Sequence, residues 1–268
     1  MSTTEIQQVV GAFATMPAVI PTNEHPLKRI TVLGANAEGC TLACLCLAAG
    51  CDVTLFSAYA RDLDPLRQRS RITIRVSGPV GTYQINHSEV PSITLSSSLD
   101  EAVLGADAIF VTGPVLKQRT YAMVLGGHLN DGQVVVVAPS RTLGAVETAW
   151  YLRVGGNSSA ISIVELQSLP FWVDDQDGAL YLSETGPVTT AVLPSGNMGV
   201  LRALAALIPD LVPVASVLHS GFGDASGLVE VVGLTLGGLA LQDGQTPLPA
   251  GAEPLENRRV YRPSLRPL

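Results

Sequence analysis

A chain of 268 residues, 47% of them hydrophobic, can bury a sizeable core. Its formal net charge of −7 argues against a nucleic-acid partner, because phosphate binding requires concentrated Lys and Arg. The longest apolar stretch, residues 228–241, is too short to span a membrane and contains Glu230. The N-terminus lacks the basic and apolar pattern of a signal peptide, so we expect a cytoplasmic protein without a membrane partner.

The four cysteines, Cys40, Cys44, Cys46 and Cys51, lie close together in the sequence. A single helix cannot direct four such side chains to one zinc ion, so we expect no metal site. Small buried core residues are the favoured interpretation. Unpaired thiols also fit a reducing compartment.

The most informative segment is residues 28–56. An apolar run, Ile30 to Leu33, enters a glycine turn, and an apolar helical stretch and a second run, Val53 to Phe56, follow. This strand–turn–helix–strand order is the setting in which a G-x-G-x-x-G turn binds a dinucleotide. Here the turn reads GANAEG over residues 34–39, with Asn in place of the middle glycine.

Each residue of this turn has an expected part in cofactor binding. Gly34 permits the tight turn, and Gly39 permits close packing of helix on strand. Asn36 is tolerable because Asn adopts left-handed conformations more readily than most residues. The N–H groups at the helix start, at Asn36, Ala37 and Glu38, are expected to hold the pyrophosphate. A Rossmann-like turn without a cofactor is the alternative.

The end of the second strand bears on the type of cofactor. NAD-dependent enzymes place an acid there for the ribose hydroxyl, whereas this chain has Ser57 followed by Arg61. A small hydroxyl residue and an Arg suit the 2′-phosphate of NADP(H), so we expect NADP(H) in preference to NAD(H). The nearby Asp62 and Asp64 argue the other way.

The remaining elements predict an α/β fold, a doubly wound Rossmann-type parallel sheet with an inserted hairpin and a short, mainly helical C-terminal region. The hairpin lies around Gly78-Pro79, and Ser98 with Glu101 forms a capping box. Predicted strands cover residues 108–111, 134–137 and 161–164, with two more runs over 178–193; predicted helices cover 117–125, 144–154 and 197–208. The expected divisions are an extension (1–27), the dinucleotide-binding domain (28–184), a substrate and dimerisation region (185–242) and a Pro-rich tail (243–268).

Two further groups of residues follow predicted strands. Thr112, Gly113 and Pro114 are expected at the carboxyl ends of the strands, where backbone contacts to a nicotinamide ribose are plausible. Arg141 follows the next strand. It either binds a substrate carboxylate or caps the edge of the sheet.

Residues 28–241 resemble the octopine/opine dehydrogenase family. The resemblance rests on the glycine turn, the inserted hairpin and three stretches in a fixed order, namely NDGQVVVVAPSRT (130–142), ELQSLP (165–170) and PVASVL (213–218). It implies a Rossmann domain paired with a helical substrate domain. Such enzymes join an amino acid to a 2-oxo acid as an imine and reduce the imine with NAD(P)H.

The chain departs from the family pattern in three places. Gln118 stands where the family has a His, and Glu230 stands at the place of the catalytic His. The family's helical domain continues for roughly another hundred residues, whereas this chain stops soon after Leu241, so we expect a truncated and altered substrate domain.

The proton donor has two candidates. Glu230 lies in an apolar stretch where burial would raise its pKa and keep it protonated, and His219 lies in the same segment. A Glu at a solvent edge or subunit contact is the alternative. Residues 225–241 are nearly all apolar and rich in glycine, so we expect this predicted helix to join two copies as a homodimer.

The leading hypothesis is an NADP-dependent oxidoreductase that reduces an imine or a 2-oxo acid-derived small molecule, in specialised metabolite biosynthesis. One alternative is a cofactor-binding partner protein without catalysis. Another is a non-redox cyclase or lyase on the same fold.

Overall fold

The computed structural model describes residues 26–223. By internal contacts the chain divides into two units, Met1–Gly221 and Phe222–Leu268, so the fold described below is that of the first unit. Its strands are β1 (Arg29–Leu33), β2 (Asp52–Phe56), β3 (Arg71–Arg75), β4 (Gly81–Ile85), β5 (Ser92–Ser96), β6 (Ala108–Val111), β7 (Val134–Val137), β8 (Ser162–Leu166), β9 (Phe171–Gln176), β10 (Ala179–Glu184), β11 (Val188–Leu193) and β12 (Leu211–Pro213). Its helices are α1 (Ala37–Ala48), α2 (Ala60–Arg69), α3 (Leu99–Val103), α4 (Val115–Leu125), α5 (Gly144–Val154), α6 (Met198–Ala205) and α7 (Val217–Gly223).

The strands form one sheet in the order β12-β11-β8-β7-β6-β1-β2-β5-β4-β3-β10-β9. The seven strands from β8 to β4 run parallel. Six of them, β1, β2, β5, β6, β7 and β8, have the spatial order 3-2-1-4-5-6 of a dinucleotide-binding sheet. The predicted doubly wound parallel sheet is therefore confirmed.

The expected hairpin is also present. Strands β3 and β4 pair antiparallel around Gly78, and β10 and β9 extend the sheet beyond them. At the other end β11 pairs antiparallel with β8 and carries β12. Residues 185–223 thus add strands to the same sheet, and the predicted domain boundaries stay predictions.

Two hydrophobic cores cover the two faces of the sheet. Along β6, Ala108 and Phe110 pack into one core, whereas Ile109 and Val111 pack into the other. Helices α1 and α6 contribute to the first core, and α3, α4 and α5 contribute to the second. This alternation explains why the central strands read as continuous apolar runs.

Helix α1 is buried over most of its surface, with every residue from Gly39 to Cys46 in the interior. It packs on β1, β2 and β5, and it also contacts β9 from the far end of the sheet. The end of the sheet therefore curls over the helix. Because no face of α1 is left to water, its sequence shows no amphipathic stripe.

Five elements were not predicted from the sequence, namely α2, β5, β9, β12 and α7. No element was predicted over helix α2, because this stretch carries Pro65 and buries only one residue fully, Leu63. Strand β5 is five residues long, and strand β9 ends in polar residues. Helix α3 begins where the capping box predicted, with the Ser98 side chain accepting the N–H of Glu101.

The four cysteines are free and buried. Burial raises the pKa of Cys40 to about 12 and also raises the pKa of Cys44 and of Cys46. In the unfolded chain a thiol loses its proton near pH 8.5. The folded protein keeps these protons at a pH at which the unfolded chain releases them. The contribution of the three thiols to the free energy of unfolding is therefore fully present below about pH 8.5 and is lost as the pH rises above it.

We therefore expect the free energy of unfolding to fall by about 1.4 kcal/mol per pH unit for each of these thiols above pH 9. Urea denaturation between pH 7 and pH 10.5 measures this slope. In Cys44→Ala the free energy of unfolding should fall less steeply with pH, because one of the contributing thiols is absent. An identical slope in the variant would contradict the prediction.

Candidate functional site

The candidate site lies at the carboxyl ends of the central parallel strands. Leu33 of β1 is in register with Phe56 of β2 and with Val111 of β6. The residues after these three strands, beginning at Gly34, Ser57 and Thr112, therefore share one edge of the sheet. Between β1 and β6 the strand order reverses, which is where open α/β sheets bind their ligands.

The glycine turn is held by two contacts that only glycine permits. Gly34 has a φ of +117°, and a Cβ there would lie 2.5 Å from Thr112 Oγ1. A Cβ on Gly39 would lie 1.9 Å from the carbonyl oxygen of Gly34. The helix start thus sits directly against the end of β1.

Asn36 caps α1 instead of adopting the left-handed conformation that the sequence suggested. Its backbone is extended, with φ −93° and ψ 178°, and its Oδ1 accepts the N–H of Gly39 at 3.0 Å. Its Nδ2 donates to Glu38 Oε2 at 2.5 Å. Asn is among the best N-cap residues, so the substitution for glycine has a structural reason.

The first turn of α1 can still accept an anion. The N–H groups of Asn36, Ala37 and Glu38 have no hydrogen-bond partner within residues 26–223, and these residues are half-buried. Unpaired N–H groups at a helix start suit a pyrophosphate. The Glu38 carboxylate beside them adds negative charge that such a ligand must tolerate.

Ser57 is buried at the end of β2 and is already engaged. Its hydroxyl donates to Asp62 Oδ2 at 3.0 Å and accepts the N–H of Tyr59 at 3.2 Å. The Arg61 side chain is 84% exposed, and its Nε lies 3.9 Å from Asp62 Oδ1. Asp62, which in the sequence argued against NADP(H), therefore contacts both Ser57 and Arg61.

Gln118 connects the ends of β6 and β7. Its Nε2 donates to the carbonyl oxygens of Gly113 and Pro139, both at 2.9 Å. Gly113 has a φ of +90°, and Pro114 precedes the first residue of α4. Gln118 thus holds the ends of β6 and β7 together beside the switch point.

A cleft between α4 and α5 opens beside Gln118. The cleft is narrow and open to solvent, with room for about one water molecule, and Arg119, Arg141, Glu147 and Tyr151 are among the residues that line it. Arg119 Nη2 lies 2.6 Å from Glu147 Oε1. The hydrogen bond to Glu147 raises the pKa of Arg119, so this cation stays charged.

Glu165, the first residue of the ELQSLP stretch, is a buried carboxylate. It accepts the N–H of Ala145 at 2.9 Å and the hydroxyl of Ser220. The side chain of Gln167 also donates to the carbonyl of Ser220. Residues of β8 and its loop therefore hold the start of α5 and the helix α7 at the same edge.

The structure brings most of the predicted site residues to this edge. The turn residues, Thr112, Gly113 and Pro114 lie together, Ser57 and Arg61 lie beside them, and Arg141 lines the cleft. His219 is exposed on α7. Glu230 and the stretch 225–241 lie outside the described residues.

Two findings on the described residues concern other kinds of site. No three His, Cys, Asp or Glu side chains within residues 26–223 are grouped so that they could hold a metal ion. No helix in this part of the chain is long and apolar enough to cross a membrane.

The chain is similar to nicotinamide-dependent dehydrogenases. An opine dehydrogenase from Arthrobacter sp. (strain 1C) is 24% identical over 220 residues, which are 81% of this chain and 59% of the relative. A glycerol-3-phosphate dehydrogenase [NAD(P)+] from Geobacter sulfurreducens is 30% identical over 111 residues, covering 41% of this chain and 31% of that protein. No family model matches the chain.

The fold is shared with octopine dehydrogenase. Its structure with NADH and L-arginine superposes with a TM-score of 0.62 at 15% identity, covering 84% of this chain and 57% of that one. The resemblance to opine dehydrogenases inferred from the sequence is confirmed. The chain spans between one half and two thirds of the length of the opine and octopine dehydrogenases that it matches.

The contact between Gly39 and Gly34 leads to a stability prediction. In Gly39→Ala the helix start must move away from β1, so we expect the free energy of unfolding to fall by about 1–3 kcal/mol. Gly196→Ala is the matched control, because a Cβ there meets no atom of residues 26–223 within 4 Å. Chemical denaturation of both variants tests this, and equal stabilities would contradict it.

Proposed function

We propose that this chain is an oxidoreductase that binds NADP(H) and reduces an imine or a 2-oxo acid-derived small molecule. The observation that carries the proposal is the group of N–H donors at the start of α1, at the switch point of the sheet, that have no partner among residues 26–223. The named relatives, an opine dehydrogenase and an NAD(P)+-dependent glycerol-3-phosphate dehydrogenase, support a nicotinamide cofactor.

The residues present fit such a cofactor. Asn36, Ala37 and Glu38 would offer N–H groups to the pyrophosphate, and Gly113 leaves space at the end of β6, where a Cβ would meet only the Asn36 amide at 3.5 Å. When bound, the nicotinamide would supply the hydride. Gln118 would keep the ends of β6 and β7 at a fixed separation beside it.

The proposed preference for NADP(H) rests on the cations near Ser57. Arg61 is exposed and extends beside Asp62, where it can reach a 2′-phosphate. Ser57 itself is occupied by Asp62, so its hydroxyl contributes less than the sequence suggested.

The cleft between α4 and α5 is the proposed place for the carboxylate of the substrate. Arg141 follows β7 and lines this cleft together with Gln118, on the same edge as the glycine turn. An Arg beside an anionic substrate can form two parallel hydrogen bonds to its carboxylate. For the proton we propose Glu230, with His219 as the second candidate.

Titration with NADPH and NADH, followed by intrinsic fluorescence, tests the proposal at the level of binding. The loss of NADPH absorbance at 340 nm, in the presence of pairs of amino acids and 2-oxo acids, then tests turnover. We expect NADPH to bind with micromolar affinity and to be consumed only when both an amino acid and a 2-oxo acid are present. Absence of binding by either cofactor would remove the proposal, and binding without turnover would favour the non-catalytic or non-redox alternatives.

Two substitutions separate substrate binding from cofactor binding. In Arg141→Gln we expect KM for the oxo acid to rise about tenfold or more with unchanged NADPH affinity, since the charged pair of hydrogen bonds to its carboxylate is lost. Arg153→Gln is the matched control, because Arg153 lies in the last turn of α5, away from the cleft. An unchanged KM in Arg141→Gln would assign this residue to the sheet edge instead.

We also propose that the chain forms a homodimer through residues 225–241. The support is the composition of this stretch, which contains one charged residue, Glu230, among apolar and small residues. Sedimentation velocity at micromolar concentration should show a dimer, and Leu234→Glu should shift it toward a monomer. A monomeric wild-type chain would contradict the proposal.

A further inference from the structure

We propose that Lys117 and Asp62 set the choice between a 2′-phosphate and a 2′-hydroxyl on the adenosine ribose of the cofactor. Lys117 acts with Arg61 as a pair of cations for the phosphate, and Asp62 is the internal anion that the phosphate must displace. The inference rests on the proposed function, because it concerns the same cofactor.

The two cations lie on either side of one carboxylate. Lys117 Nζ is 3.8 Å from Asp62 Oδ2, and Arg61 Nε is 3.9 Å from Asp62 Oδ1. Both also contact the ring of Tyr59, at 5.9 Å and 5.4 Å from its centroid. The Lys117 and Arg61 side chains are 52% and 84% exposed, so an entering ligand can reach them.

These cations come from different places in the sheet. Arg61 belongs to α2, which follows β2, whereas Lys117 belongs to the first turn of α4, which follows β6. Strand β1, with its glycine turn, lies between β6 and β2. The pair therefore spans the edge beside the proposed pyrophosphate position, and the ribose of a dinucleotide follows that position at the end of the second strand.

The position of the Asp62 carboxylate is fixed by a hydrogen bond from Ser57. Ser57 is 1% exposed and donates to Asp62 Oδ2. The Ser57 hydroxyl also accepts the N–H of Tyr59, so Ser57 links Asp62 to the backbone at the end of β2. This hydrogen bond holds the Asp62 carboxylate between the two cations.

The charges of these three side chains predict how the site binds a 2′-phosphate and a 2′-hydroxyl. A phosphate monoester carries about −1.5 to −2 charges, so it attracts both cations and is repelled by Asp62. A ribose hydroxyl instead donates to the Asp62 carboxylate. The same corner can accept either ligand, and the ratio of their affinities depends on residues 62 and 117.

Isothermal titration calorimetry on the full chain with adenosine 2′,5′-bisphosphate and 5′-AMP measures this ratio without catalysis. In Lys117→Gln we expect the affinity for the bisphosphate to fall about tenfold and that for 5′-AMP to stay within about twofold. In Asp62→Asn we expect the affinity for the bisphosphate to rise about fivefold relative to 5′-AMP. Arg67→Gln is the matched control, since Arg67 lies on α2 and pairs with Asp64.

The outcomes separate the two levels of the proposal. If both ligands bind but their ratio does not respond to residues 62 and 117, this inference falls and the proposed function stands. Adenosine 3′,5′-bisphosphate binding as tightly as the 2′,5′ isomer would also overturn it, because the cations would then recognise any phosphate. If the wild-type chain binds no adenine nucleotide, NADP(H) included, both proposals fall.

Discussion

The contact between the start of α1 and the end of β1 is the constraint on which the site depends. At Gly39 the helix backbone lies so close to the carbonyl of Gly34 that no side chain fits between them. Behind the turn, Thr112 Oγ1 donates to the carbonyl of Leu33 at 2.9 Å. A backbone contact of this kind cannot relax by side-chain rotation, so it fixes the position of the start of α1 against the end of β1.

The close contact between Gly39 and Gly34 places α1 directly on the sheet, where most of its residues are buried. The helix packs on the parallel strands, and β9 contacts it as well, because the sheet curls at the end that carries the inserted hairpin. A helix enclosed in this way needs small and medium apolar residues on every side. Cysteines meet that need, and their raised pKa values are the electrostatic consequence of the enclosure.

The sequence predicted the features that are local and failed at those that are not. Apolar runs and the glycine turn identified the central strands, α1 and the strand ends that gather at the switch point. Partnerships between distant residues leave no local signal. Thr112 lies 76 positions from Asn36 and Ser220 lies 55 positions from Glu165, so neither contact could be found from spacing. Helix α2 was missed because Pro65 and its many charges conceal a helical pattern with one fully buried residue.

Three groups of donors or cations at the proposed site lie beside a carboxylate of the chain itself. Glu38 lies at the first turn of α1, Asp62 lies between Arg61 and Lys117, and Glu147 pairs with Arg119 in the cleft. An anionic ligand therefore exchanges partners here instead of finding unpaired charges. Part of its binding energy offsets the ion pairs that it displaces, so affinity depends on how much better the ligand's geometry is than that of the internal carboxylate. In a chain with a net charge of −7, this exchange favours ligands that match the positions of the cations over anions in general.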